Sequence, residues 1–224
     1  MNLYFLLEGE RTEKRVYGSW IQFAFPGLRL IERIEDATED CFRLLAGGGF
    51  PQILDRISEA AAEIALAKGR FDHFFICLDA DGLGAAERKQ AAEAYLKGLK
   101  LTVPATVIVQ DCCIESWFLG NRAFVRAQPQ DLDLIEFRAF YDVRTRDPEQ
   151  MPARPPAAAA QPQQFHFKYL KAAFQDRGLS YNKSRPAEVG ERHYLDQLVK
   201  RVDETGHLAS FGELITAWRG LGAF

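Results

Sequence analysis

The sequence predicts an α/β protein, a four-stranded parallel sheet flanked by helices, with a mainly helical carboxy-terminal extension. Three observations carry this expectation. Apolar runs of strand length occur at residues 2–7, 28–34, 72–79 and 104–110. The segments between them have helical spacing, at about 12–25, 50–68 and 85–99. Beyond about residue 128 the strand pattern stops, and helical patterns follow at about 165–177, 186–204 and 208–220. Strands alternating with helices read as a parallel sheet covered on both faces.

The first run, Leu3-Tyr4-Phe5-Leu6-Leu7, is apolar at every position, as a strand buried on both faces requires. In the helix that follows, Val16, Trp20, Ile21 and Phe23 or Ala24 form an apolar stripe. Thr12 is placed to cap this helix and Pro26-Gly27 to end it. Leu28 to Ile34 gives the second strand, and Gly47-Gly48-Gly49 a turn. Ile53, Ile57, Ala60, Ala61 and Ile64 define the buried face of a helix from about Phe50 to Lys68, stopped by Gly69. Residues 72–79 form the third strand, Ala85 to Leu99 a helix and 104–110 the fourth strand, and Cys113 to Phe118 begins a further helix. Residues 147–164, DPEQMPARPPAAAAQPQQ, read as a mobile loop or linker. Ser210-Phe211-Gly212-Glu213 offers a cap for the last helix. The chain thus divides into a core at 1–128, a variable region at 129–164 and a helical extension at 165–224 that packs on the core.

With 224 residues, 47% hydrophobic and 26% charged, the composition is that of an ordinary globular protein. The formal net charge of -3 argues against bulk electrostatic attraction to nucleic acid and leaves room for a local basic groove. Glu8, Glu10 and Glu13 interrupt any leader-like pattern at the amino terminus, and no apolar run approaches the roughly 18 residues of a membrane span. Cys41, Cys77, Cys112 and Cys113 form neither a CxxC nor a Cys/His zinc spacing, and Cys77 falls within a buried strand. His193 and His207 also lack metal-ligand spacing. The expectation is a reduced, cytoplasmic protein without a membrane partner.

Acidic residues stand where the apolar runs end. The first run leads into Glu8-Gly9, the third into Asp79-Ala80-Asp81-Gly82, and the fourth into Gln110-Asp111, with Glu115 just beyond. A carboxylate at the end of a buried strand must be solvated, paired or bound to a cation. Asp79 and Asp81 alternate along an extended segment and so share a face. Such oxygen ligands suit Mg2+, which takes one or two protein carboxylates and keeps several waters. Glu10 reads as a solvated helix-start charge, whereas Glu13 adds a favourable negative charge near the helix start. Asp111 competes with Glu115 as a ligand from the same strand end. The DxDG sequence also occurs in turns and calcium loops, but no EF-hand ligand ladder follows it. Tyr181-Asn182-Lys183-Ser184-Arg185 brings two cations into one loop, either solvated or facing phosphate.

In this order, the residues resemble the Toprim domain, over about residues 1–120. Its pattern is a glutamate after the first strand, here Glu8 in LLEGERTE, and Asp-x-Asp after a later one, here Asp79 and Asp81 in FFICLDADG. Stand-alone Toprim-like proteins of bacterial phage-defence loci, including RloB-like proteins, are similar at Glu8, Gly9, Thr12 and Glu13, and again at Cys113, Glu115 and Trp117. The resemblance implies acids that bind Mg2+ or Mn2+. By analogy with overcoming-lysogenization-defect nucleases, it also implies Glu13 at a second metal and Lys183 as an assisting cation. No Walker A sequence is present, so the ATPase fused to Toprim in those nucleases is expected as a separately encoded ABC-type partner.

The resulting expectation is a metal-dependent nuclease acting on DNA or RNA, the effector of an anti-phage system. Glu8, Asp79, Asp81 and Lys183 are the expected catalytic residues, and Glu8, Glu13, Asp79, Asp81 and Glu115 the expected metal ligands, with oligomerisation left open. The rival readings are a regulatory subunit of an ATPase complex and a Toprim-fold binding module or phosphotransferase that does not cleave nucleic acid.

Overall fold

The computed structural model describes residues 1–49, 51–80, 84–154 and 161–224. Asp81, Gly82, the start of the expected second helix at Phe50, and residues 155–160 of the Pro/Ala-rich segment lie outside the described residues. The described residues contain a five-stranded sheet: β1 (Asn2–Leu7), β2 (Arg29–Ile31), β3 (Cys41–Ala46), β4 (His73–Asp79) and β5 (Ala105–Gln110), in the order β2-β3-β1-β4-β5. β1 pairs parallel with β3 and β4, and β2 with β3. Backbone bonds from Phe74 N to Pro104 O and from Ala80 N to Gln110 O keep one offset along β4 and β5, so this pair is parallel too. The helices between the strands are α1 (Thr12–Ala24), α2 (Gln52–Leu66) and α3 (Ala85–Lys97).

The expected four strands become five. β2 is a short three-residue edge strand, and β3 was not anticipated. Arg43 interrupts the apolar pattern of β3, but it is satisfied: its Nε lies 3.0 Å from Glu63 Oε2, which also accepts the Tyr4 hydroxyl at 2.6 Å. A charge in a strand is tolerated when paired in this way. Asn2 ties the strand starts together. Its amide group donates to Thr38 O (2.5 Å) and Arg70 O (2.6 Å), and its Oδ1 accepts from Cys41 N (3.1 Å).

The chain forms two compact units. The first comprises Met1–Leu78, Ala85–Val109 and Thr216–Phe224. β1 is buried along its whole length, as its unbroken apolar run predicts. Phe5 stacks on Phe75 at 4.7 Å, and Trp218 stands edge-on to Phe5, Tyr17 and Phe25. Thr12 is the first helical residue of α1 rather than its cap. Arg11 holds the cap position, with no side-chain cap bond.

The second unit comprises Asp79–Gly84 and Gln110–Ile215. It contains α4 (Ile114–Phe118), α5 (Leu132–Phe140), α6 (Pro162–Gln175), α7 (Arg192–Thr205) and the first part of α8 (Ala209–Gly220). Phe137, Phe165, Tyr169, Phe174 and Tyr181 supply aromatic packing. Arg201 is fully buried; its guanidinium donates to the carbonyls of Gly120 (3.0 Å), Val143 (2.7 Å) and Arg146 (2.6 Å). Burial lowers its pKa to about 10. Within the segment read as a loop at 147–164, Pro148–Gln150 form a 3-10 turn capped by Asp147, Met151 is buried, and α6 already begins at Pro162. Ser210 sits inside α8 instead of capping it, and its hydroxyl turns to Glu149.

Candidate functional site

Glu8 follows β1 directly. Its amide donates to Cys77 O at 3.0 Å, extending the β1–β4 ladder by one residue beyond the Leu7–Cys77 pair. Its side chain is buried. Glu13, in the first turn of α1, is also buried, and its carboxylate lies against Gly9; a Cβ on Gly9 would occupy the same space. That close approach accounts for glycine at this position. Asp79 is the last residue of β4 and is half-buried. β1 and β4 are parallel, so Glu8 and Asp79 both come at the carboxyl ends of adjacent strands.

Beyond β5, the chain enters a tight turn. Gln110 is buried, and its Oε1 has no hydrogen-bond partner among the described residues. Cys112 has φ 70, the left-handed region that a non-glycine residue seldom adopts. Cys113 returns to extended backbone and α4 begins at Ile114. Glu115, in the first turn, is only 2% exposed, yet it is a carboxylate. Tyr181 donates its hydroxyl to Glu115 Oε1 at 3.2 Å, and Lys183 Nζ lies 3.9 Å from the same oxygen. Lys183 is itself largely exposed, so this ion pair leaves the ammonium in reach of solvent. The Tyr181–Arg185 loop, read from sequence as solvated or facing phosphate, thus meets the acid Glu115 through Tyr181 and Lys183 in the second unit.

Cys113 reports on the local field. Its thiol is held well above the usual range, chiefly by its hydrogen bond to Cys112 and by burial, and further by the negative charges of Glu115 and Asp79. Asp79 and Glu115 thus both act on one buried thiol. Asp111, half-buried, is pushed up by burial, with the Cys112 amide opposing and Asp147 adding to the rise.

The structure also assembles groups that sequence spacing did not indicate. Cys112, Cys113 and His166 bring one ligand atom each within 4.8 Å of one another, although His166 is on α6. Cys112 is lowered to about 6, mainly by the hydrogen bond from Cys113 and then by His166, against the effect of burial. No set of three carboxylates gathers as closely among the described residues. The signal available in the sequence was the vicinal cysteine pair at a strand exit; the histidine, 53 residues beyond Cys113, carried none. Glu149 was likewise unmarked. It is buried in the second unit, accepting from the Ser210 hydroxyl (2.5 Å), the Trp117 indole (3.0 Å) and the Ser210 amide (3.2 Å). Burial raises its pKa to about 7 in spite of those donors, with Asp147 and Asp111 contributing.

No helix among the described residues is long and apolar enough to cross a membrane. Comparisons with protein-family models, with curated proteins and with solved structures find no match to this chain.

Proposed function

We propose that this protein is a metal-dependent phosphodiesterase acting on nucleic acid, with Asp79 and Glu115 of the second unit as its central acids and Glu8 included on its sequence motif. The observation that carries this reading is that Glu8 follows β1, Asp79 ends β4 and Glu115 opens the helix after β5, three adjacent strands of one parallel sheet. In open parallel sheets, ligands bind at the carboxyl ends of the strands. A Toprim-like scaffold remains part of the proposal, on the motifs given above.

The donor set fits Mg2+ or Mn2+. Carboxylate oxygens are hard ligands, and one or two of them suffice where waters complete the shell. Gln110 adds a buried carbonyl oxygen in want of a partner at the end of β5. Such a cation, when bound, polarises a scissile phosphate and lowers the pKa of coordinated water. Glu8, which follows β1 at the end of the β1–β4 ladder, would accept a proton from the attacking water. Asp79, at the last position of β4, and Glu115, in the first turn of α4, would supply oxygen ligands, and Glu13, packed on Gly9, supports the Glu8 turn. Lys183, an exposed cation beside Glu115, neutralises substrate phosphate. Asp81 belongs to the proposed set through its sequence position alone. A separately encoded ATPase as partner, and a role in anti-phage defence, complete the proposal.

The test is cleavage by purified chain of single-stranded and duplex DNA and of RNA, with Mn2+ or Mg2+. Metal-stimulated cleavage that disappears in the isosteric variants Glu8→Gln and Asp79→Asn is the expected result. The proposal fails if no substrate is cut, with or without the ATPase, or if both variants cut as well as the parent chain. Metal binding that depends on Asp79 without cleavage of any substrate would favour the non-cleaving module instead.

A further inference from the structure

We propose that Cys112, Cys113 and His166 form a binding site for a thiophilic divalent cation, Zn2+ by its ligand chemistry, distinct from the carboxylates at the strand ends. The three ligand atoms lie within 4.8 Å of one another, and all three residues belong to the second unit. A tetrahedral Zn2+ holds sulfur and nitrogen ligands about 3.5–3.8 Å apart, so closure by about 1 Å through side-chain rotation completes the set.

The backbone is shaped for this grouping. Successive side chains of an extended chain point to opposite sides, which would separate two adjacent cysteines. The left-handed conformation of Cys112, φ 70, breaks that alternation at the residue where both sulfurs must face one point. A non-glycine residue held there carries strain, and strain of this kind concentrates at functional positions. The third ligand arrives from α6, and its ring is already oriented. His166 Nδ1 lies 2.7 Å from Ser116 Oγ, whereas Nε2 is 3.5 Å from Met151 O, too far for a strong bond. With one ring nitrogen held by Ser116 or Met151, the other is left for the ion, the arrangement that metal-bound imidazoles usually have.

Charge and softness choose the ion. Cys113, His166 and Ser116 are buried. Two thiolates and one neutral imidazole cancel a divalent cation, so the occupied site places no net charge in the interior. Thiolate and imidazole ligands favour Zn2+ over Mg2+ or Mn2+. Three protein ligands leave a fourth position for solvent. The bound ion would join the turn before α4 to α6, two residues upstream of Glu115.

The experiment uses the full chain, reduced and stripped with chelator, and titrated first with Co2+ and then with Zn2+. One equivalent of Co2+ should produce a thiolate-to-cobalt charge-transfer band of two-thiolate intensity, which one equivalent of Zn2+ abolishes and excess Mg2+ does not. Zn2+ should also protect Cys112 of the unaltered chain from iodoacetamide, read residue by residue by mass spectrometry. Cys112→Ser, at a half-exposed position, should roughly halve the band and weaken Zn2+ binding about tenfold or more. Cys41→Ser, in the first unit, should change neither. The proposal is overturned if no charge-transfer band forms, if the band survives unchanged in Cys112→Ser, or if Zn2+ leaves Cys112 alkylation unaltered. Recovery of only a Cys112–Cys113 disulfide, with no metal bound after reduction, overturns it as well.

Discussion

Raising the pH through the interval from about 4.5 to about 7 destabilises the second unit through one carboxyl group, Glu149. In an unfolded chain this group ionises near its ordinary value of 4.5, and in the fold near 7. Desolvation dominates the shift, outweighing the hydroxyl and amide of Ser210, while Asp147 and Asp111 add repulsion. Within this window the unfolded chain has released a proton that the native state still holds, so stability falls as pH rises. The contribution is complete below about 4.5 and lost above about 7. A difference of roughly 2.5 pH units, at about 1.4 kcal/mol each, corresponds to about 3–4 kcal/mol. The assay is urea unfolding of the parent chain and of Glu149→Gln between pH 4 and 8. Glutamine is neutral throughout, and its amide nitrogen facing Ser210 N adds an offset that does not depend on pH. The difference between the two stability curves therefore isolates the titration. The Trp117 indole, 3.0 Å from Glu149 Oε1, supplies an independent reading, because its N–H resonance should shift with a midpoint near 7. A difference curve that is flat across the window, or an indole midpoint near 4.5, would refute the reasoning.

Two further substitutions test other parts of the structure. Gly9→Ala places a methyl group where the Glu13 carboxylate lies, so that carboxylate must move while the fold is kept. Misplacement on this scale costs on the order of 10²-fold in rate; unchanged metal-dependent cleavage, with thermal stability also unchanged, would remove Glu13 from the site. Arg201→Met leaves the carbonyls of Gly120, Val143 and Arg146 without their donor in a buried position. The expected loss is about 3 kcal/mol or more, seen as a lowered urea midpoint, and a loss under about 1 kcal/mol would show that the clamp contributes little.

The parts of the fold that were legible are those in which one physical signal dominates. β1 reads as a strand because it is apolar at every position, and α2 reads as a helix because Ile53, Ile57, Ala60 and Ile64 fall on one buried face. β3 was hidden because Arg43 breaks its pattern, and only the distant Glu63 and Tyr4 make that charge acceptable. Ser210 was misread for a related reason. Its spacing to Glu213 satisfies a local capping rule, whereas its hydroxyl is taken by Glu149, sixty-one residues earlier. The strand-end acids could be located from sequence because a strand end is a local feature. Cys112, Cys113 and His166 could not be grouped, because their proximity depends on how α6 packs beside α4.

The turn between β5 and α4 joins the two proposals without making either depend on the other. Asp111, Cys112, Cys113, Ile114 and Glu115 are consecutive, and they offer oxygen and sulfur donors within five residues. A regular strand or helix would mix these donors along one face and discriminate poorly between cations. The left-handed residue at Cys112 divides them instead. The sulfurs group with His166, whereas Glu115, one helical step later, meets Tyr181 and Lys183. Hard and soft cations are thereby offered different ligand sets by one short segment, which is the basis on which ligand type separates Mg2+ or Mn2+ from Zn2+. The backbone strain at Cys112 is then the structural cost of keeping the two sets apart. Relief of that strain by Cys112→Gly should leave the carboxylate chemistry in place while removing the thiolate–imidazole site.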